Sequence, residues 1–459
     1  MAGWDTLQGL ILQEVQQREE EGCRVEGFAA KVKEAGHDEA ALMSLYGQLQ
    51  HLPVRADYPY REPNGLEDIR ANRPEGPRRL TLTDGDERLR DRFHGAWLGR
   101  CVGCALGKPL EASYYMSGTE QNPGWRNVQL WFEGADAWPI RDYTPGRSRA
   151  AEEHGLGLSQ FCSLSELERL RFMETDDDIR YTVLGLLMLE QKGYDWSAWD
   201  VGKMWHSRLT YGQVCTAETQ AYLNFSRLTS HWESGKPADW EEKIAHVRSY
   251  LNPYREWIGA QIRVDGYAYG AAGQPELAAE LAWRDASFSH ERNGLYGAMF
   301  VAAMIGAAFA ETDMERIVQI GLSEIPRDCR LAQAVERAVG IARTCGDQLE
   351  LVRRIWDEFH HYHPVHTINN AALVAAALVF SKGDFETAIT TAVLGGWDTD
   401  CNGATAGSIA GALNGASNLP ASWTAKLNDT LYADLPGFHP IAISECAERS
   451  FAAFRKLQK

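Results

Sequence analysis

The stretch GGWDTDCNGATAGSIAGALNG, from Gly395 to Gly415, combines two acidic residues with a regular glycine pattern. Asp398 and Asp400 are two residues apart, in what we predict to be a non-helical turn where their carboxylates can converge on one point. Two or three hard oxygen ligands that converge in this way suit Mg2+, Mn2+ or Ca2+. Glycine then recurs at 403, 407, 411 and 415, so a helix there presents one smooth glycine face.

A second glycine pattern of the same spacing occurs in HGAWLGRCVGCALGKPLE, residues 94–111. Glycines at 95, 99, 103 and 107 share one helical face, because residues four apart are neighbours on a helix surface. A face without side chains lets two backbones approach closely. We therefore predict that this helix, which Pro109 ends, packs against the glycine helix that follows Asp400.

Helical periodicity dominates the sequence from Thr175 onward, and strand patterns are almost absent. The fold class we predict is all-α: a compact multi-helix domain over residues 86–459, with one long helix near 196–227. Residues 1–85 are predicted to form an N-terminal helical appendage, with two amphipathic helices and then an extended proline-rich strap. Residues 112–165, where aromatic residues stand among Gly, Pro and Asn, are predicted to be a long loop insertion.

The composition limits the possible partners and the compartment. The chain has 46 basic and 63 acidic residues and a net charge of -17, which argues against nucleic acid or an anionic membrane surface as a partner. The longest apolar runs, Met299–Ala310 and Ala371–Phe380, are too short to span a bilayer. The nine cysteines are scattered and the first residues lack a signal-sequence pattern, so we expect a cytoplasmic protein. We also expect it to be a monomer.

A second acidic block, METDDDIRYT, occupies residues 173–182 and precedes an apolar helical run. Thr175 as helix N-cap, with acidic residues in the first turn, would account for a single aspartate. The three adjacent aspartates at 176–178 repel one another unless a cation neutralises them. Together with the aspartate pair of the first stretch, they predict a site for two metal ions about 3.5–4 Å apart.

Four motifs in this order, GAWLGRCVGCALGKPLE, ETDDD, DASFSH and GGWDTDCNGATAGSIAGAL, resemble the ADP-ribosylglycohydrolase family over about residues 92–420. The resemblance implies an all-α hydrolase with two bound Mg2+ ions, or with Mn2+ in their place. It also implies cleavage of the C1''–N or C1''–O bond that links ADP-ribose to a protein side chain or a small group. The expected partner is therefore an ADP-ribosylated protein or a small ribosylated molecule.

The resemblance implies roles for individual residues as well. Glu111 matches an acidic residue that lies over the ribose and the metal. A carboxylate of Asp177, Asp400 or Glu111 is expected to act as general acid or base, and the residues alone leave this choice open. The implied metal ligands are Thr175, Asp176, Asp177, Asp398, Asp400 and Cys401. The implied substrate contacts are His290, Gly396, and Gly259 and Gln261 of the segment 258–270, which resembles a diphosphate-binding loop.

Three positions depart from the family pattern. Cys401 stands where a metal-ligating Thr is usual, and a thiol is a soft ligand that suits Mg2+ poorly. Asp178 replaces a Thr, and Cys104 replaces an Asp in the first glycine helix. These departures leave the metal preference and the substrate open.

Two alternative functions are open at this stage. One is hydrolysis of a small N-riboside or nucleoside at the same metal site, with aromatic residues of the insertion stacked on its base. The other is a non-catalytic ADP-ribose-binding or structural protein, which Cys401 favours. Two further patterns are predicted to be structural: Cys101 and Cys104 as buried helix cysteines, and the histidines at 360, 361, 363 and 366 as residues of helix ends.

Overall fold

The computed structural model describes residues 3–230, 233 and 235–458, and its regular structure is almost entirely helical. The predicted all-α fold class is confirmed. The sheet found in the described residues is one short antiparallel pair, β1 (Thr430–Leu431) and β2 (Ile441–Ala442). No described helix is both long enough and apolar enough to cross a membrane. The outer ends of the two predicted regions, residues 1, 2 and 459, lie outside the described residues.

The helices before residue 85 differ from the prediction for this region. Their bounds are α1 (Leu7–Glu20), α2 (Phe28–Ala35), α3 (Glu39–Gln50) and α4 (Leu66–Asn72). The second predicted helix is in fact two helices, because Gly36 (φ +57°) ends α2 and the Asp38 carboxylate caps α3. The predicted extended strap contains α4, because the segment between Pro63 and Pro74 has no proline to interrupt a helix.

The N-terminal helices pack onto the rest of the chain. Leu10 and Leu49 share an apolar cluster with Tyr254, which lies far along the sequence. Nη1 of Arg255 contacts Oε2 of Glu14 at 2.7 Å, and both side chains are buried. A buried charge is tolerated when it is paired in this way. A shared apolar cluster and a buried ion pair therefore join these helices to later parts of the chain.

The predicted main domain begins with α5 (Asp86–Gly107), and the 3-10 turn Lys108–Leu110 follows it. The loop predicted over 112–165 contains helices, so that prediction is wrong in part. They are α6 (Ser113–Met116), α7 (Gly124–Gly134) and α8 (Ala150–His154). In α7 the aromatic side chains serve as its apolar face, because Val128, Trp131 and Phe132 have helical spacing and are buried.

Helices fill most of the chain from residue 177 to 457. Their bounds are α9 (Asp177–Lys192), α10 (Ala198–Arg208), α11 (Thr216–Leu228), α12 (Trp240–Ser249), α13 (Asp265–Gly270), α14 (Pro275–Ala286), α15 (Asn293–Ala308), α16 (Met314–Leu322), α17 (Arg330–Ala342), α18 (Gln348–Phe359), α19 (Thr367–Ser381), α20 (Phe385–Leu394), α21 (Thr399–Asn414), α22 (Ala421–Thr424) and α23 (Ile443–Leu457). The single helix predicted near 196–227 is α10 and α11, because Leu209 is extended and a 3-10 turn, Tyr211–Gln213, follows.

The close packing predicted for the two glycine helices is confirmed. A Cβ atom on Gly99 would lie 2.2 Å from the backbone oxygen of Gly407, and one on Gly411 would lie 2.0 Å from that of Gly95. Real Cβ atoms do not approach other atoms so closely, so only glycine fits at these crossings. The contact of α5 and α21 brings the end of α5 beside the start of α21.

Candidate metal centre

The acidic block after Thr175 forms the N-terminus of α9. Asp176 caps this helix, because its Oδ1 accepts a hydrogen bond from the backbone N–H of Asp178 at 2.9 Å. Thr175, which we predicted as the cap, accepts a hydrogen bond from Nη2 of Arg180 through its Oγ1 at 3.0 Å. Asp177 and Asp178 consequently occupy the first turn, where the helix dipole favours negative charge.

The second acidic pair lies at the N-terminus of α21, so the predicted non-helical turn is wrong. Asp398 is the N-cap residue, and Asp400 lies in the first helical turn. Oγ1 of Thr399 donates a hydrogen bond to the backbone oxygen of Gly107 at 2.9 Å. This bond fixes the start of α21 to the end of α5.

The structure brings the two acidic blocks together. Asp176 and Asp400 belong to one group of side chains whose possible ligand atoms all lie within 4.8 Å of one another. The groups of this kind in the described residues are Cys104–Asp176–Asp400, Asp178–Asp400–Cys401 and Asp176–Asp177–Asp178. We use the name acid centre for Asp176, Asp177, Asp178, Asp398 and Asp400.

The carboxylates of the acid centre fit a divalent cation. Oδ1 of Asp398 and Oδ1 of Asp400 are buried and have no hydrogen-bond partner among the described residues. Their residues are only 5% and 2% exposed. A buried acceptor without a partner is costly unless a cation or water supplies the contact. Carboxylate oxygens are the ligands that Mg2+ and Mn2+ prefer, so the two Oδ1 atoms are candidate ligands for such an ion.

Crowding raises the pKa values of these carboxyl groups. Burial, followed by the charge of Asp176, raises the pKa of Asp400 to about 7. Burial and the charge of Asp400 raise the pKa of Asp398 well above its usual value. Burial and the charge of Asp176 also raise the pKa of Asp177. Without a cation the acid centre therefore holds protons near neutral pH, and a metal ion that binds must displace them.

Glu111 lies beside the acid centre on its solvent side. Its side chain is exposed, yet the surrounding protein still removes part of the hydration of the carboxyl group. This desolvation, with the charges of Asp400 and Asp176, raises the pKa of Glu111 well above its usual value. Glu111 is thus a carboxyl group that can hold a proton beside the centre and exchange it with water.

Two basic side chains of the chain itself contact the acid centre, and neither was predicted as a site residue. The fully buried Arg100 contacts Oδ1 of Asp178 at 3.0 Å and Oδ2 of Asp265 at 2.9 Å. Nζ of Lys108 donates a hydrogen bond to Oδ2 of Asp176 at 2.5 Å. Burial acts to raise the pKa of Asp176, but Lys108 lowers it below its usual value.

The cysteines near the acid centre differ in their contacts. Sγ of Cys401 donates a hydrogen bond to Oδ2 of Asp178 at 3.2 Å. Cys104, which we did not predict as a ligand, belongs to one of the three ligand groups. Burial and nearby carboxylates raise the pKa of both thiols well above its usual value. Cys101 is buried in α5, as predicted, and belongs to none of the groups found in the described residues.

Two residues predicted to bind substrate, His290 and Gly259, lie beside the buried carboxylate of Glu218. Nε2 of His290 is 3.9 Å from Oε1 of Glu218, and its Nδ1 is hydrogen-bonded to Ser289 Oγ at 2.8 Å. A Cβ atom on Gly259 would lie 2.3 Å from the same Oε1, so the carboxylate rests on the glycine backbone. Burial raises the pKa of Glu218 to about 7, although its ion pair with Arg263 opposes the rise. No sequence pattern marks Glu218 as a site residue.

The other two predicted substrate contacts have different surroundings. Gln261 is fully buried, and neither polar atom of its amide has a partner among the described residues, so water or a ligand group can use both. Gly396 has φ +73°, and a Cβ atom there would lie 2.6 Å from the backbone oxygen of Tyr115. The turn itself therefore requires Gly396. As predicted, His360 and His366 lie at the ends of α18 and α19.

Comparison with known proteins gives one family match. Residues 85–456, most of the chain, match the family model of ADP-ribosylglycohydrolase. No curated protein matches the chain. Among solved structures, a chain described as "ADP-ribosylglycohydrolase-related protein complex" is 21% identical, and the match covers 80% of this chain and 99% of that chain with a TM-score of 0.49.

Proposed function

This chain belongs to the ADP-ribosylglycohydrolase family, and from that premise we propose that it removes ADP-ribose from modified protein side chains with the help of a divalent cation. The family makes it a hydrolase that acts on ribosyl bonds of ADP-ribose-type substrates. The bond we propose is the C1''–N or C1''–O bond between the ribose and the side chain. The proposed cation is Mg2+ or Mn2+.

One observation carries the proposal: carboxylates from two distant parts of the chain meet in a buried place. Ligand atoms of Asp176 and Asp400 lie within 4.8 Å of each other, where two negative charges repel. Asp398 and Asp400 would hold a cation there, with Thr175, Asp176 and Asp177 as further oxygen groups beside them. A divalent cation in such a site supplies Lewis-acid chemistry, since it stabilises negative charge on ribose oxygens and lowers the pKa of water.

Glycosidic cleavage also needs a proton for the leaving group and a base for the attacking water. Glu111 is our candidate for the acid, because it faces solvent and the pKa of its carboxyl group is raised. Asp177 is half-buried and Asp400 is buried. Because water reaches Asp177 more easily than Asp400, we propose Asp177 as the base.

The substrate is proposed to extend from the acid centre toward Gly259, Gln261 and His290. The unpaired amide of Gln261 supports this direction, because a phosphate or ribose oxygen would accept its N–H. His290 supports the same direction, because its Nε2 is buried and has no hydrogen-bond partner among the described residues. Glu218, between Gly259 and His290, can accept a hydrogen bond from a ribose hydroxyl group.

Hydrolysis assays on defined peptides test the proposal. Peptides that carry ADP-ribose on arginine or on serine are incubated with Mg2+ or Mn2+, and free ADP-ribose is measured. The double variant Asp176→Asn with Asp398→Asn should be slower by about a hundredfold or more, since loss of outer-shell metal contacts alone costs about 10–100-fold. Asp313→Asn, at an exposed helix cap, is the matched control and should retain full activity. Full activity in the double variant would refute the metal-dependent mechanism.

A second candidate substrate is a small ribosylated metabolite or nucleoside. Exposed aromatic side chains favour it: Tyr114 is 36% exposed and Phe161 is 96% exposed. The segment before Phe161 is joined to the 3-10 turn that follows α5, because the N–H of Ser159 donates to the backbone oxygen of Pro109 at 2.9 Å. Tyr114 and Phe161 therefore belong to two segments next to the turn that precedes Glu111, and we propose that their rings stack on a base. A panel of ribosides beside the modified peptides separates the two substrate classes.

A further inference from the structure

Lys108 is a fixed positive charge beside the acid centre. It lies in the 3-10 turn that ends α5, one turn after Cys104, and its side chain is mostly buried. Its ammonium group donates to Oδ2 of Asp176 at 2.5 Å, while Oδ1 of Asp176 accepts the backbone N–H of Asp178. Both oxygens of Asp176 are therefore already in contact with hydrogen-bond donors of the chain.

The ammonium group contacts a member of one of the candidate cation groups. Possible ligand atoms of Cys104, Asp176 and Asp400 lie within 4.8 Å of one another, and Lys108 donates a hydrogen bond to the Asp176 carboxylate of that group. The situation at Asp398 and Asp400 is different. Each has a buried Oδ1 without any partner among the described residues. One side of the acid centre thus has its cation supplied by the chain, and the other side does not.

We propose that the Lys108 ammonium group takes the place of one of two metal ions, so that this protein binds a single divalent cation on the Asp398 and Asp400 side. A second divalent ion in contact with Asp176 would lie close to the ammonium group, and the two positive charges would repel in a buried site. This inference rests on the metal centre of the proposed function. It adds a residue of this chain that sets how many ions the centre holds.

Metal counting tests the inference without any substrate. The protein is freed of metal, dialysed against excess Mn2+ and analysed for Mn2+ per chain by elemental analysis and by titration calorimetry. Wild-type protein should bind one ion. Lys108→Met, of similar length but without charge, should bind two, and Lys108→Arg should bind one. Lys426→Met is the matched control, because Lys426 also pairs with an aspartate, Asp142, but on another part of the molecule.

Spin coupling between paired Mn2+ ions, read by electron paramagnetic resonance, gives an independent count. Coupling should appear in Lys108→Met and be absent from wild type. Two ions in the wild-type protein would overturn the inference and leave metal-dependent hydrolysis intact. One ion in both wild type and correctly folded Lys108→Met would also overturn it. Failure of the wild type to bind any ion would overturn both the inference and the proposed metal dependence. The wild-type count tests the predicted single ion even if Lys108→Met does not fold.

Discussion

Gly103 and Gly403 meet backbone to backbone: a Cβ atom on Gly103 would lie 1.9 Å from the carbonyl oxygen of Gly403. This is one of the crossings that join α5 to α21. Cys104 and Lys108 lie just beyond it on one chain segment, and Asp400 lies just before it on the other. The approach of the two helices is therefore what places a basic residue and a thiol beside the carboxylates of α21.

Gly103→Ala should destabilise the protein strongly, because the added methyl group meets backbone atoms that cannot move aside. We expect a loss of at least about 1–3 kcal/mol in the free energy of unfolding, the usual cost of overpacking a core. Urea denaturation measures the change. Gly340→Ala is the matched control, since Gly340 is exposed in α17 and a Cβ atom there meets nothing within 4 Å. It should gain about 0.5–1 kcal/mol from the better helix propensity of alanine. A neutral Gly103→Ala would show that the helices can separate at little cost.

Asp400→Asn should have opposite effects on metal-free stability and on activity. The amide removes a charge that repels Asp176, so the metal-free protein should melt at a higher temperature than wild type. Hydrolysis should fall by about a hundredfold or more, since a proposed metal ligand is lost. Thermal melting in a chelator and ADP-ribose release measure the two effects. A variant that melts lower than wild type and keeps its activity would contradict both expectations.

The metal-free protein should lose stability as the pH rises from about 4.5 to 7. In the folded state the pKa values of Asp400 and Glu218 are about 7, above their ordinary values of 3.8 and 4.5. Between those values the folded protein binds more protons than the unfolded chain, so the free energy of unfolding falls as the pH rises. Above the folded pKa the loss is complete.

Melting temperatures at several pH values, with chelator or with Mg2+, measure this dependence. Mg2+ should raise the melting temperature more at pH 8 than at pH 6, because protons compete with the ion for the same carboxylates. A melting temperature of the metal-free protein that rises from pH 6 to pH 8 would contradict the assigned protonation.

Arg100→Met should be among the most destabilising single changes in the chain. The guanidinium group is fully buried and pairs with Asp178 and Asp265, so its loss leaves two buried carboxylates without their cation. We expect a cost of about 3–5 kcal/mol, as for other broken buried ion pairs, measured by urea denaturation. Arg149→Met is the control, since its pairing with Asp136 is exposed and its loss should have no measurable effect. Equal stabilities of the two variants would show that Arg100 does not hold Asp178 in place.

Local sequence patterns were enough to predict the all-α fold and the packing of the two glycine helices. The glycine spacing is a local signal, and its consequence, a close backbone contact, does not depend on other parts of the chain. The same patterns placed Asp398 and Asp400 in a turn, whereas they begin a helix. Aspartate is favourable both in turns and at helix starts, so the residues alone did not decide between the two.

Local sequence patterns do not predict which distant residues form ion pairs. The sequence shows Lys108 only as part of a motif, because its partner Asp176 is distant in the chain and no local rule pairs them. Glu218 lies within the amphipathic helix α11, where an acidic residue is ordinary, and only the fold brings Gly259 and His290 to it. The helix α7 was missed for another reason: glycine and proline around it hid the apolar spacing of its aromatic side chains.

The central claim is that the acid centre works through a bound divalent cation, and metal depletion with rescue tests it most directly. Wild-type protein is treated with chelator, and release of ADP-ribose from peptides modified on arginine or serine is followed before and after Mg2+ or Mn2+ is restored. The account predicts that hydrolysis stops in chelator and returns with either ion, and that neither ion restores the Asp176→Asn, Asp398→Asn double variant. Undiminished hydrolysis by the metal-depleted wild type would contradict it.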